Sequence, residues 1–249
     1  MNKMAILDNP IWSALVSDNA AFGSGTDQVR FFHSDIAPFA GMASYTPENF
    51  RTLSNLVEDE RTVVLFSPQP DLDPLPFDIV DVIPGYQMVF EAKLPEAVMG
   101  GDLLPLTDEE VPAMLDLTQL AQPGPFAQRT IKFGGYRGAF DEGRLVAMGG
   151  HRLKANGYTE ISAVCTHPDH NGKGYARRVL NTVVRDIASE GNVAYLHVRA
   201  DNIRAVELYQ RMGFSIRTIM NFYVLKNTRA ELRSQFEGQE LPSIEVSSK

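Results

Sequence analysis

The sequence predicts a mixed α/β (α+β) fold: a mostly antiparallel central sheet flanked by helices, preceded by a smaller α/β unit. Three observations carry this reading. β-Prone runs at 136–140, 145–153 and 158–166 are joined by Asp141-Glu142-Gly143 and Ala155-Asn156-Gly157, which suit tight hairpin turns. Residues 174–189 put Ala176, Val179, Leu180, Val183, Val184 and Ile187 on one stripe of a helix. Pro95, Gly100, Gly101 and Pro105 interrupt any periodicity between Leu94 and Leu104. The chain is therefore divided into an N-terminal α/β domain at 1–100, a second domain at 101–227 and a tail at 228–249.

In the first hundred residues, Val29–Phe32 reads as a strand. Pro47 to Val57 reads as a short helix, with Thr46 as N-cap and Pro47 in the first turn. Thr62–Phe66 is strongly β-prone. The prolines between Pro68 and Pro76 make a loop, and Ile79 to Phe90 reads as a strand pair turning at Pro84-Gly85. In the second half, a strand at 103–106 leads to Thr107-Asp108-Glu109-Glu110, an N-cap followed by acids, and then a helix that Gln122-Pro123-Gly124-Pro125 breaks. After the three hairpin-linked strands and the helix at 174–189 come a strand at 194–198, a helix at 202–212 and two strands at 214–220 and 222–226. Phe77–Ile83 also reads like Phe214–Met220. The N-terminal half is then either a degenerate half-copy of the second, or the two segments are unrelated strands of similar β-propensity.

Composition sets bounds. The chain has 249 residues, 44% apolar and 22% charged, sufficient for a real core. No apolar run approaches the ~20 residues of a membrane span, and the apolar stretch in Met1–Asp8 is too short for a secretory signal. One cysteine gives neither an internal disulfide nor a zinc cluster. A cytoplasmic protein without a metal or a membrane partner is the expectation. The net charge of −8 opposes nucleic-acid binding, although His170, Lys173, Arg177 and Arg178 form a local basic group. A homodimer is compatible with the sequence but not read from it.

The most informative stretch is Ala163-Val-Cys-Thr-His-Pro-Asp-His-Asn-Gly-Lys-Gly-Tyr-Ala176. A strand here delivers a glycine-rich turn to a helix N-terminus. Such a turn presents unpaired N–H groups at the positive end of a helix dipole, which suits a phosphate-bearing ligand. Gly172 and Gly174 let ligand oxygens approach the main chain closely. A nucleotide loop of the Gly-x-x-x-x-Gly-Lys-Ser/Thr type does not fit, because Gly172-Lys173-Gly174 lacks that spacing. Further on, Asn202-Ile-Arg-Ala205-Val-Glu-Leu208-Tyr209-Gln-Arg-Met-Gly213-Phe214 places a short helix between an asparagine and a glycine stop.

Together these blocks resemble the GNAT superfamily of acyl-CoA-dependent N-acyltransferases. Asn171-Gly172-Lys173-Gly174-Tyr175-Ala176 follows its Gln/Arg-x-x-Gly-x-Gly/Ala loop, with Asn171 in place of the usual Gln or Arg. Asn202 to Phe214 matches its Asn-x-x-Ala-x-x-Leu-Tyr-x-x-x-Gly-Phe block without a gap. The resemblance spans residues 103–226 and looks most like the branch containing glycine N-acyltransferase C-terminal domains.

It implies the GNAT fold and transfer of an acetyl group from acetyl-CoA, as co-substrate, to the primary amine of a small molecule or peptide. It implies that the main chain of Val164, Cys165 and Thr166 pairs with the pantetheine arm, with an N–H near Val164 polarising the thioester carbonyl. It also implies that Lys173 and the N–H groups from Gly172 to Ala176 hold the pyrophosphate, and that Asn202 hydrogen-bonds the pantetheine or bridges two strands. Tyr209 is the implied acid for the leaving thiolate, starting as a protonated phenol. Glu160 is the implied general base; with Ser162 and Val164 it shares one strand face, where a raised pKa would suit the role. His151, His167 and His197 are alternative bases. Phe126, Phe133 and Tyr136 are candidate acceptor-site linings, with the N-terminal half as a cap. The competing expectation is an acyl-CoA-binding regulatory module without turnover.

Overall fold

The computed structural model describes residues 3–94 and 103–228. The junction read near 94–104 and the tail at 228–249 lie almost wholly outside them. In chain order the elements are α1 (Pro10–Leu15), β1 (Gly23–Gly25), β2 (Val29–Phe32), β3 (Ala40–Met42), α2 (Pro47–Leu56), β4 (Thr62–Ser67) and β5 (Phe77–Phe90). There follow β6 (Leu103–Pro105), α3 (Val111–Ala121), β7 (Arg137–Asp141), β8 (Arg144–Ala155), β9 (Tyr158–Thr166), α4 (Tyr175–Ser189), β10 (Val193–Arg199), α5 (Ile203–Arg211) and β11 (Phe214–Asn227).

Local chemistry explains most boundaries. Thr46 caps α2 by accepting from the Asn49 N–H, with Pro47 in the first turn. Thr107 and Glu110 form the reciprocal capping box that leads into α3, and Gln122 ends that helix in the left-handed conformation. The hairpin turns carry left-handed pairs, Glu142-Gly143 and Asn156-Gly157. On α4, Val179, Leu180, Val183, Val184 and Ile187 are all buried. Each such side chain contributes about 1.5–3 kcal/mol of burial, so this stripe fixes the helix on the sheet.

Strands β1 to β3 make a small antiparallel sheet. The other eight form one sheet in the order β4-β11-β5-β10-β9-β8-β7-β6, antiparallel throughout except for the β10–β9 pair. The N-terminal half is thus woven into the second: β5 lies between β10 and β11, and β4 forms the edge beyond β11. The registers repeat when β4 is exchanged with β10 and β5 with β11. Phe77 faces Asn227 as Phe214 faces Phe90, and Gly85 faces Arg199 as Phe222 faces Phe66. One face of the sheet packs α4 and α5 against Met88, Ile161, Leu196 and Val198. On the other, Leu7, Ile11, Leu15, Phe32 and Ile36 cover Phe66, Val89, Leu153, Tyr195 and Met220.

Two readings of the sequence are corrected. Residues 77–90 are one strand of 14 residues rather than a hairpin at Pro84-Gly85, and residues 214–227 are likewise one strand of 14 rather than two. Pro84 is tolerated inside the sheet because its missing donor falls where β10 has already ended at the Arg199–Gly85 pair; its carbonyl accepts from the Ala200 N–H on that same side. Gly85 lies beneath the Phe222 ring, where a Cβ would overlap ring atoms and come within 2.9 Å of the Val198 carbonyl oxygen. Gly85→Ala is therefore expected to destabilise the protein by about 1–3 kcal/mol, seen as a lower urea midpoint with an unchanged denaturant slope.

Candidate active site

Strands β9 and β10 pair in parallel only from Tyr158–Val193 to Ile161–Leu196 and then diverge. Just past that point β9 bulges: Met148 faces Cys165 and Gly150 faces Ser162, so Ala163 and Val164 both oppose Gly149. Ala163 takes up the extra residue with a φ of 54°. A bulge leaves one peptide unit outside the ladder, and this one stands beside the gap. Gly149 is required there, since a Cβ would lie 2.7 Å from Val179 of α4 and 3.1 Å from Val164.

The gap opens into a cleft of about 960 Å³. Of the residues expected to bind the co-substrate, Val164, Cys165, Thr166, Asn171, Gly172, Gly174, Tyr175, Ala176 and Asn202 line it, as does Tyr209; Lys173 stands exposed on the same turn. Gly172 and Gly174 have φ near 80°, and a Cβ on either would meet nothing within 4 Å. The left-handed conformation, rather than crowding, requires glycine there, and the space above the turn is open. Gly174 caps α4 with no side-chain hydrogen bond to its first turn, leaving those N–H groups available to an anion.

Two polar atoms lining the same groove, Thr166 Oγ1 and His170 Nδ1, are buried without a partner among the described residues. Donors at the turn and unsatisfied polar atoms beside it fit a polar, phosphate-bearing arm. The basic group is partly engaged already: His170 pairs with Asp141 at 2.8 Å, and the Arg178 guanidinium lies 4.5 Å over the Tyr175 ring. Asn202 accepts from the Ala205 N–H at 3.2 Å, so it caps α5 while lining the cleft.

Tyr209 packs edge-on against Phe214, and burial, followed by the nearby Cys165, pushes its phenol up to about 12. It is a protonated donor at neutral pH. Burial likewise raises the Cys165 thiol to about 12, against a smaller opposing effect of the Met148 backbone, so the sulfur is no nucleophile there.

Glu160 departs from expectation. Its carboxylate is wholly buried, receives both Nε (2.8 Å) and Nη2 (2.5 Å) of Arg152, and faces His197 Nδ1 at 2.6 Å. Burial alone would raise its pKa, but Arg152, through charge and two hydrogen bonds, and the hydrogen bond from His197 bring it down to about 2. It does not line the cleft. A carboxylate this occupied and this acidic is a poor proton acceptor, so the raised pKa expected of Glu160 is reversed.

His197 does line the cleft, yet both of its nitrogens are engaged. Gln87 Oε1 accepts from Arg217 Nη1, which orients Gln87 Nε2 to donate to Leu7 O and to His197 Nε2. His197 is then the neutral tautomer with its proton on Nδ1, and burial lowers its pKa. His151 and His167 lie outside the cleft, and His167 accepts from the Asp169 N–H to shape the turn at Pro168.

The expected acceptor linings are corrected as well. Phe133 packs edge-on against Phe22 and Phe32, and Tyr136 packs against Phe126, and none of Phe126, Phe133 and Tyr136 lines the cleft. The cleft is lined instead by Leu120–Pro125, with Phe39, Val64, Phe66 and Ile83 from the N-terminal half and Phe222 and Val224 from β11. The Thr62–Phe66 run marked a strand in the sequence, but nothing in it signalled that Val64 and Phe66 face a site.

A cleft between diverging strands, with a bulge on one side and an uncapped helix N-terminus at its mouth, presents main-chain donors suited to a phosphate-bearing ligand. Comparison with known proteins agrees. A family model described as FR47-like protein matches residues 136–224. A solved structure from Novosphingobium aromaticivorans, assigned as an acetyltransferase of the GNAT family, superposes with a TM-score of 0.82 at 32% identity, covering 88% of this chain and 97% of that one. The [ribosomal protein bS18]-alanine N-acetyltransferase of Salmonella typhimurium is 27% identical over 126 residues, 47% of this chain and 83% of that protein. The N-alpha-acetyltransferase RimI of Mycobacterium tuberculosis is 37% identical over 84 residues, 32% of this chain and 51% of that protein. The chain belongs to the GNAT family of acyl-CoA-dependent N-acyltransferases. None of these three relatives is a glycine N-acyltransferase, so they do not bear on that branch.

The Arg152–Glu160–His197 cluster sets the acid stability. Glu160, held below its ordinary 4.5, contributes stability that is complete above that value and lost as pH falls towards 2. His197, held below its ordinary 6.5, contributes stability that declines as pH falls beneath 6.5. The melting temperature should hold near neutrality, fall below about 6.5 and fall faster below about 4.5. Glu160→Gln should lower stability by about 3–5 kcal/mol at pH 7 and flatten the steeper limb; calorimetry from pH 3 to 8 measures both.

Proposed function

We propose that the protein is an N-acetyltransferase that moves the acetyl group of acetyl-CoA onto a primary amine by direct attack. The observation that carries this reading is the coincidence, in one cleft, of the bulged β9 peptide, the open glycine turn at the start of α4 and the protonated Tyr209. The glycine turn and the first N–H groups of α4 hold the pyrophosphate, and the exposed Lys173 adds charge from outside. The main chain of Val164 to Thr166 holds the pantetheine arm, joined across the gap by Asn202. The acetyl group then lies at the bulge, where a main-chain N–H stabilises the oxygen as it gains charge.

The neutral amine forms the C–N bond as the C–S bond breaks, and the thiolate takes the Tyr209 proton. No carboxylate lines the cleft among the described residues, and both nitrogens of His197 are occupied. The amine proton therefore leaves to water, and the phenolate is reprotonated from solvent. This reading places the protein in no membrane, and no helix among the described residues is long and apolar enough to cross one.

Tyr209→Phe should reduce kcat about 100-fold or more while acetyl-CoA still binds by calorimetry with its affinity unchanged. Full turnover in that variant would remove the acid role. Acetyl-CoA binding without thiol release for any amine would instead support the module without turnover. With no side-chain base, kcat/KM should rise with pH and follow the acceptor's own ammonium ionisation. A profile that stayed level across two acceptors of different basicity would reveal an enzyme group.

A further inference from the structure

The acceptor end of the cleft has a specific chemistry, and its interpretation rests on the acetyltransferase reading above. Phe39, Phe66 and Phe222 stand there with Val64 and Val224. Arg152 lies among them, its guanidinium carbon 4.8 Å from the Phe39 ring centre and 5.6 Å from that of Phe66. The residue is only 8% exposed yet lines the cleft. Nε and Nη2 are turned to Glu160, while Nη1 has no hydrogen-bond partner among the described residues. A guanidinium packed against the neighbouring rings of Phe39 and Phe66 and fixed on one edge offers its remaining N–H groups in a set direction, and planar carboxylates are its natural partners.

The charges around it point the same way. The chain carries 31 acidic residues against 23 basic ones, yet among the described residues neither aspartate nor glutamate lines the cleft, whereas Arg152, Arg177, Arg199, Arg204 and Arg211 do. Arg199 and Arg211 are offset by Asp201 and Glu207 just outside. A polyamine or a lysine-rich peptide would bring further cations into a cleft with no carboxylate to meet them, and like charges brought together are disfavoured. The acidic surface as a whole therefore says nothing about this pocket.

We propose that the acceptor is a free amino acid with an apolar or aromatic body: its carboxylate is received by Nη1 of Arg152, its body lies among Phe39, Phe66 and Phe222, and its amine is directed along the cleft towards the bulge at Val164.

The test measures thiol release from acetyl-CoA with the full chain. It uses phenylalanine and leucine, their carboxamides, and spermidine. The carboxamides keep the amine and the apolar body but lose the negative charge. Their amines are also less basic, so intrinsic reactivity favours them. Recognition at Arg152 should make kcat/KM for each free acid at least about tenfold higher than for its amide, the scale of one charged hydrogen bond, with spermidine poorest. Arg152→Lys keeps the charge but loses the fork, and should bring the acid-to-amide ratio towards one. The wild-type comparison decides alone if that variant does not fold. Equal or better use of the amides or of spermidine overturns the acceptor assignment and leaves the acetyltransferase reading standing. No thiol release with any amine overturns both.

Discussion

The structure depends on a buried charge cluster at the point where the strands part. Arg152, Glu160 and His197 come from β8, β9 and β10, and each is nearly or wholly removed from water. Ions in such a place are stable only when their hydrogen bonds are nearly complete. Glu160 is completed by the fork of Arg152 and by His197. His197 is completed by Gln87 of β5, which is in turn tied to Leu7 and to Arg217. Arg217 reaches Asp8. A continuous polar line therefore runs from the N-terminal segment to the three strands that frame the cleft.

The same line explains why the N-terminal half matters to the site. β5 takes the place beside β10, β4 pairs with β11, and Val64, Phe66 and Phe39 wall part of the cleft. The repeated registers of β4–β5 and β10–β11 show that each half contributes one edge partner and one long strand to the other. Such an exchange joins the halves through main-chain hydrogen bonds and leaves no exposed sheet edge between them. The cleft is accordingly a joint product of residues far apart in the chain.

The division of labour within the cleft is clear in chemical terms. One side is main chain: a bulged peptide, a glycine turn and a helix N-terminus, all suited to a ligand whose recognition is by phosphate and amide. The other is side chain: phenylalanines and a half-committed guanidinium, suited to a small acceptor chosen by shape and charge. Tyr209 lines the same cleft, and burial keeps its phenol protonated.

Much of this was legible in sequence because it is local. The turns at Gly143 and Gly157, the caps at Thr46, Thr107 and Asn202, the stripe of α4 and the glycine turn at 172–174 all depend on residues within a few positions of one another. What could not be read was decided at long range. Pro84-Gly85 looked like a turn because its local signal is a turn; only the end of β10 and the Phe222 ring make it strand. Glu160 looked like a base because its strand position is right; Arg152, eight residues away across a hairpin, and His197, on a strand formed much later, made it a fixed anion instead. The sequence by itself determined most of the elements and the open glycine turn at 172–174, since backbone conformation there is set by glycine and hydrogen-bond chemistry. The tertiary structure alone decided the ionisation of the buried groups and the walls of the cleft, since both depend on which distant side chains share a space without water.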